Sequence, residues 1–92
     1  MPKLLIIRQF IFLLFSADVR ENRKHIHVEV RKGKRRYVAK FWLEPAIELI
    51  EKGNLSSTEA NDAKKLIEKN YHLLLKQIAV VLRGDKVKTI IK

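Results

Sequence analysis

The clearest pattern along the chain is an alternation of apolar and polar residues from His25 to Lys32. Such a period of two is typical of a β-strand with one buried face. A second run suited to a strand extends from Arg35 to Trp42, and only Gly33-Lys34 separates the two runs. Gly in the first central position suits a type II′ turn. The sequence therefore predicts an antiparallel hairpin that pairs Lys32 with Arg35.

This register divides the side chains of the hairpin between two faces. A slip by one residue would bring Lys40 into the apolar face, so the predicted pairing is favoured. The opposite, polar face then holds His25, His27, Glu29, Arg31, Arg36, Lys40 and Trp42. Arg31 lies opposite Arg36, and like charges in that position repel each other. We expect an anion to relieve this repulsion, and we expect both histidines on the face opposite the helix.

Further strands are predicted on both sides of the hairpin. Apolar runs near residues 3–7 and 10–16 indicate two strands, and apolar residues on both faces of the second favour an interior position. Residues 17–24 are polar and indicate a surface loop. Residues 46–52 fit a fourth strand or a short helix equally well. Residues 87–91 suit a last strand or a frayed tail.

A helical repeat follows, with apolar residues spaced by threes and fours from residue 57 to residue 82. Ser56 and Glu59 form a capping box at its start, and Gly84 suits its end. Asn70 weakens the pattern without stopping it, so one long helix is predicted. The predicted fold is α+β: a three- or four-stranded antiparallel sheet covered on one face by a long C-terminal helix. Residues 1–92 form a single domain, with a core at 1–82 and a C-terminal extension at 83–92.

Composition narrows the class of partner. The chain has 92 residues, no cysteine and a formal charge of +10, which favours nucleic acid or an acidic protein as partner. Residues 1–45 carry eleven basic and four acidic side chains, so the excess lies mainly with the hairpin. The apolar segment 4–15 is interrupted and too short for a membrane span. No membrane attachment is therefore expected. A reducing cytoplasm is the expected compartment, because the chain has no cysteine and so no disulfide.

The basic residues around the hairpin turn are the candidate binding site. Cations on a two-stranded ribbon can straddle a phosphate backbone or enter a groove. The predicted contacts to nucleic acid or an acidic partner protein are Arg31, Lys32, Lys34, Arg35, Arg36, Lys40 and Trp42. A homodimer through Leu73, Leu75 and Val80 is a further possibility, because these apolar residues lie off the main helical stripe.

Catalytic and metal sites are weaker alternatives. A ribonuclease could use His25, His27, Glu29 and Lys40 for proton transfer and phosphate stabilisation. The two histidines could also hold a metal with a third ligand, but Lys40 opposite His27 disfavours a cation. We assign no catalytic residue, metal or cofactor. The chain has no Gly-rich phosphate loop or nucleophile elbow, which argues against a conventional metabolic enzyme.

Several segments resemble one known family. Residues 25–28 read His-Ile-His-Val, residues 39–45 read Ala-Lys-Phe-Trp-Leu-Glu-Pro, and residues 53–56 read Gly-Asn-Leu-Ser. Together with Leu-Ile-Glu-Lys-Asn at 66–70, they resemble the bacterial domain-of-unknown-function family 4160 (DUF4160). The chain departs from the family pattern at Arg23-Lys24, where a proline usually precedes the first histidine.

The resemblance implies a small prokaryotic cytoplasmic domain, sometimes found beside a second small protein in toxin–antitoxin-like gene pairs. It brings no catalytic residue. The sequence thus predicts a small basic binding module, plausible as a toxin–antitoxin-type component that contacts a partner protein or nucleic acid. Two alternatives stay open, a metal-independent ribonuclease toxin and a pure protein-interaction scaffold or homodimer.

Overall fold

The computed structural model describes residues 2–14 and 24–92, which form an α+β fold with one mixed sheet and two helices. The strands are β1 (Lys3–Ile7), β2 (Phe10–Leu13), β3 (His25–Lys32), β4 (Arg35–Trp42), β5 (Glu48–Glu51) and β6 (Ile90–Ile91). The helices are α1 (Ser57–Lys69) and α2 (Tyr71–Leu82). The six strands follow the order β5-β4-β3-β2-β1-β6. Only the β1–β6 pair is parallel among them.

The predicted α+β class is confirmed, but the prediction of a three- or four-stranded antiparallel sheet is wrong. The ambiguous segment 46–52 contains β5, which pairs with β4. At the other edge, β6 is held by a hydrogen bond from the Lys92 N–H to the Ile6 carbonyl at 2.9 Å. A two-residue strand is too short to leave a periodic signal in the sequence. Residues 83–92, assigned to an extension, thus include a strand of the sheet.

The prediction of one long helix is also wrong, because the helical run breaks at Asn70. This residue ends α1 with φ −114° and ψ 22°. Its side-chain Nδ2 donates to the Leu66 carbonyl at 2.9 Å, and its Oδ1 accepts from Lys92 Nζ at 2.7 Å. Asparagine side chains that bond to nearby backbone compete with regular helix. The predicted helix start is confirmed, since Ser56 and Glu59 make both hydrogen bonds of the capping box.

Both helices pack on one face of the sheet. The core there combines alternate residues of the strands with the inner faces of α1 and α2, and its members include Phe12, Ile26, Val28, Phe41, Ile67 and Leu74. Gln77 fastens α2 to the sheet, because its Nε2 donates to the carbonyls of Leu4 and Lys88 at 3.0 and 2.7 Å. Among the predicted dimer residues, Leu73 and Leu75 pack partly against this core. No helix in the described residues is long and apolar enough to cross a membrane.

The predicted hairpin register is confirmed at all eight pairs, from His25 opposite Trp42 to Lys32 opposite Arg35. Gly33 has φ 61°, whereas Lys34 has no positive φ, which fits type II′ and excludes type I′. The predicted strand at 10–16 is observed as far as Leu13. Residues 15–16 of that strand, and 17–23 of the predicted loop, lie outside the described residues.

The hairpin is longer than the strands that flank it. Pairing between β2 and β3 ends at Phe10 opposite Val30, and pairing between β4 and β5 covers only Lys40 to Trp42. Residues 31–36, which we call the hairpin tip, therefore extend beyond both neighbouring strands. Residues 25–30 and 37–42, the hairpin base, lie within the sheet.

Candidate functional site

The hairpin tip presents five cations on a two-stranded ribbon. Each residue from 31 to 36 is exposed. Lys32 projects on the helix side of the sheet, where its Nζ lies 2.7 Å from Glu59 Oε2 in α1 and 5.4 Å from the centre of the Tyr37 ring. Lys34 and Arg35 form no ion pair within the described residues. The tip thus offers several cations to an anionic partner.

Two tip arginines share a buried counter-charge. Glu29 is 3% exposed, and its Oε1 lies 2.6 Å from Arg36 Nε and 3.6 Å from Arg31 Nε. Oε1 has no partner in hydrogen-bond geometry, so these contacts are ion pairs without well-aligned hydrogen bonds. The repulsion between Arg31 and Arg36, which we expected a bound anion to relieve, is thus already opposed by Glu29.

The tie between the tip and α1 affects the ionisation of Glu59. The hydrogen bond from Lys32 lowers the pKa of the Glu59 carboxyl, and the Ser56 backbone N–H adds to the effect. Ser56 N–H donates to Glu59 Oε1 at 2.9 Å as part of the capping box. The same carboxylate therefore caps α1 and holds one edge of the tip.

The hairpin base places both histidines on the face opposite the helices, as predicted from the register. The His25 ring packs edge-on against Trp42 at 5.4 Å and against His27 at 5.9 Å. His25 is only 2% exposed, whereas His27 and Trp42 are half-buried. Lys40 Nζ lies 5.5 Å from the centre of the Trp42 ring. This end of the hairpin is a packed aromatic cluster with a cation beside it.

The residues named for the ribonuclease alternative share one face but differ in access. His25 is buried and Glu29 is paired with Arg36, so neither is presented to a substrate in this arrangement. His27 lies directly across from Lys40. Among residues 2–14 and 24–92, no group of three or more histidine or carboxylate side chains is placed to hold a metal ion.

A cleft that the sequence did not predict lies at the junction of the two helices. It has a volume of about 570 Å³, and its apolar walls are Leu43, Pro45, Ile47, Tyr71 and Leu73. The Tyr71 hydroxyl donates to the Leu43 carbonyl at 2.9 Å at this junction. The lining comes from separate segments, so no local pattern marks it. None of its lining residues belongs to the hairpin tip.

A family model describes most of this arrangement. It matches residues 10–77, from the start of β2 into α2, and its description is a domain of unknown function, DUF4160. The chain belongs to the DUF4160 family. The DUF4160 match includes the whole β3–β4 hairpin and the capping box, and it ends before residues 83–92. No curated protein and no solved structure gives a significant match to the chain.

Proposed function

We propose that this DUF4160 protein is a non-catalytic binding module whose hairpin tip contacts the backbone of a nucleic acid, and that it acts as a toxin–antitoxin-type component. The observation that carries the proposal is the projection of residues 31–36 beyond β2 and β5, with every residue exposed. A two-stranded β-ribbon fits the major groove of DNA. Contacts to phosphate supply most of the affinity of a basic protein for nucleic acid.

The charge balance at the tip supports a polyanion as ligand. Five cations lie between residues 31 and 36, and the carboxylates paired with them are Glu29 and Glu59. A net positive ribbon remains after both pairs are counted. An acidic partner protein would satisfy the same charge, and direct binding of the purified protein to nucleic acid separates the two kinds of partner.

The test is the affinity for a short mixed-sequence DNA duplex and for RNA of the same sequence, measured over a range of salt concentrations. Arg35→Ala with Arg36→Ala should weaken binding and reduce the slope of log affinity against log salt by about 2. Lys64→Ala with Lys65→Ala removes the same charge from exposed positions of α1 and should change both quantities much less. An unchanged slope in the arginine variant would rule out the nucleic-acid proposal.

The alternative of a metal-independent ribonuclease rests on His27 directly across from Lys40. A histidine base and a lysine near the scissile phosphate are suited to cleavage at the 2′-hydroxyl. Purified protein should then cleave RNA in EDTA, and His27→Ala should abolish cleavage without unfolding the domain. If wild-type protein leaves a broad set of RNAs intact, this alternative is excluded. A pure protein scaffold would bind neither DNA nor RNA, and it would co-purify with a protein partner.

A further inference from the structure

On the face of the sheet opposite the helices, a carboxylate is buried at a position where the strands themselves do not require one. Glu29 pairs with Ile11 on β2 and with Val38 on β4, and both neighbours are half-buried apolar residues. A β-branched apolar side chain would suit this position. Burying a carboxylate carries a substantial desolvation cost unless cations and hydrogen bonds compensate for it. The compensating cations here are Arg31 and Arg36. We therefore look for the role of Glu29 in its effect on these two side chains.

The two arginines remain accessible although Glu29 pairs with them. Their side chains are 60% and 46% exposed, and in both the atom nearest the carboxylate is Nε. Neither has a further ion pair or side-chain hydrogen bond in the described part of the chain. The guanidinium group is planar and carries five N–H donors, so a contact at Nε leaves the terminal nitrogens for a second acceptor.

We propose that Glu29 is a positioning residue that holds Arg31 and Arg36 as a two-guanidinium clamp for one phosphate group of a nucleic-acid backbone. This inference rests on the proposed function and names the anion that the tip binds. Arg31 and Arg36 lie directly opposite each other on one face, and together with Glu29 they carry one net positive charge. A phosphodiester carries one negative charge and accepts paired hydrogen bonds from guanidinium groups. Lys34 and Arg35 lie farther along the same ribbon, toward neighbouring phosphates.

The experiment uses the substitution Glu29→Gln, because two possible roles of Glu29 predict opposite changes in the affinity for DNA. Glu29→Gln raises the net charge by one unit, so if Glu29 only neutralises the arginines, the variant should bind a DNA duplex more tightly. If Glu29 positions them, the variant should bind about tenfold more weakly despite its added charge. Circular dichroism and urea unfolding establish that the variant is folded under the binding conditions.

A second variant tests the clamp without touching the buried position. Arg31→Lys with Arg36→Lys keeps the charge at two exposed positions but removes the planar donors, and it should weaken binding about as much as Glu29→Gln. Adding Glu29→Gln to that double variant should cause little further loss, because both changes disable one unit. The matched control, Lys64→Arg with Lys65→Arg, exchanges the two kinds of cation at exposed positions of α1, outside the hairpin tip, and should leave affinity nearly unchanged.

The results separate the clamp from the proposed function. If wild-type protein binds and Lys34→Ala with Arg35→Ala weakens binding, while Glu29→Gln and the lysine double variant bind as tightly as wild type or more so, the clamp is wrong and the binding function stands. If wild-type protein binds neither DNA nor RNA, both proposals are wrong. Parallel losses in Glu29→Gln and the lysine double variant, with an unchanged control, support the clamp.

Discussion

The hairpin base and the hairpin tip belong to the same two strands and the same alternating sequence, yet their environments differ. At the base, His25 is buried and packs against Trp42 and His27. At the tip, every residue from 31 to 36 is exposed. The difference follows from the flanking strands, because β2 and β5 pair only with the base.

This comparison shows that alternation assigns a residue to a face but not to a degree of burial. Glu29 and Arg31 lie on the same face two residues apart, but Glu29 is 3% exposed and Arg31 is 60% exposed. The boundary between them coincides with the last residue pair that β2 forms with β3. Changes in the base should therefore affect mainly stability, and changes in the tip mainly binding. Glu29 is the exception in the base, because it contacts Arg31 and Arg36 of the tip.

The largest effect should come from replacing glycines that have the same φ but lie in different regions. Gly53 has φ 59°, and a Cβ there would lie 2.1 Å from the Val38 carbonyl oxygen in the base. Gly33 in the tip has φ 61°, with nothing within 4 Å of such a Cβ. Gly33→Ala should cost about 1 kcal/mol of unfolding free energy, from backbone strain alone. Gly53→Ala should cost about 3 kcal/mol or more, because β4 must also move.

Urea unfolding of the two alanine variants measures this difference. Equal losses would mean that the segment after β5 does not approach the hairpin base as closely as the structure has it. The hairpin base would then not be closely packed at Val38, and in this respect it would not differ from the hairpin tip.

A smaller effect is expected at the turn between β1 and β2, which lies next to the point where the tip leaves the sheet. Arg8 has φ 53° and is the only residue other than glycine with a positive φ among those described. Arg8→Gly should raise the unfolding free energy by up to about 1 kcal/mol, since relief of strain exceeds the added chain entropy. Gln9→Gly, at the neighbouring position without a positive φ, should lower it. Thermal unfolding of both variants tests this pair, and a loss in both would refute it.

The contact between the tip and α1 predicts a pH dependence. Lys32 and Ser56 lower the pKa of Glu59 below its ordinary value of 4.5 in the folded chain. The ionised carboxylate therefore stabilises the fold above 4.5, and this contribution is lost as pH falls through 4.5 toward the folded pKa. As pH is lowered below 4.5, the unfolding free energy should therefore fall more in wild-type protein than in Glu59→Gln. Parallel curves would show that the tie to Lys32 does not affect stability.

The smallest effect on stability should come from the outermost cations of the tip. Lys34→Ala and Arg35→Ala should each change the unfolding free energy by no more than about 0.5 kcal/mol, because neither side chain is buried. Both should nevertheless weaken binding to nucleic acid. A loss of stability well above this limit would mean that these side chains contribute to the packing of the fold, which would contradict the exposed state of the hairpin tip.

Rules about neighbouring residues correctly predicted the hairpin register and the start of α1, because contacts between residues close in the chain determine both. The register followed from Gly33-Lys34 and from the exclusion of Lys40 from the core, and the helix start followed from Ser56 and Glu59. The sequence did not predict the break at Asn70, where a hydrogen bond to Leu66 and another to Lys92 combine. The second of these contacts joins residues that are distant in the chain.

The sequence predicted which residues share the face of the candidate site, but not how deeply each of them is buried. The sequence placed Arg31, Arg36 and Glu29 on one face, and the structure agrees. It gave no reason to expect Glu29 to be buried, because alternation alone carries no information about where β2 ends. Burial of His25 was missed for a similar reason, and Trp42, which was predicted to contact the partner from the polar face, is half-buried.

The central claim, that the tip and not the base contacts the ligand, is tested most directly by NMR. Backbone amide shifts of the labelled protein would be followed during titration with a short DNA duplex at low and high salt. We predict that the largest changes fall within residues 31–36 and at Glu29, and that they shrink as salt rises. Changes centred on His25, His27 and Trp42, or on the cleft at Tyr71, with residues 31–36 unaffected, would contradict the account.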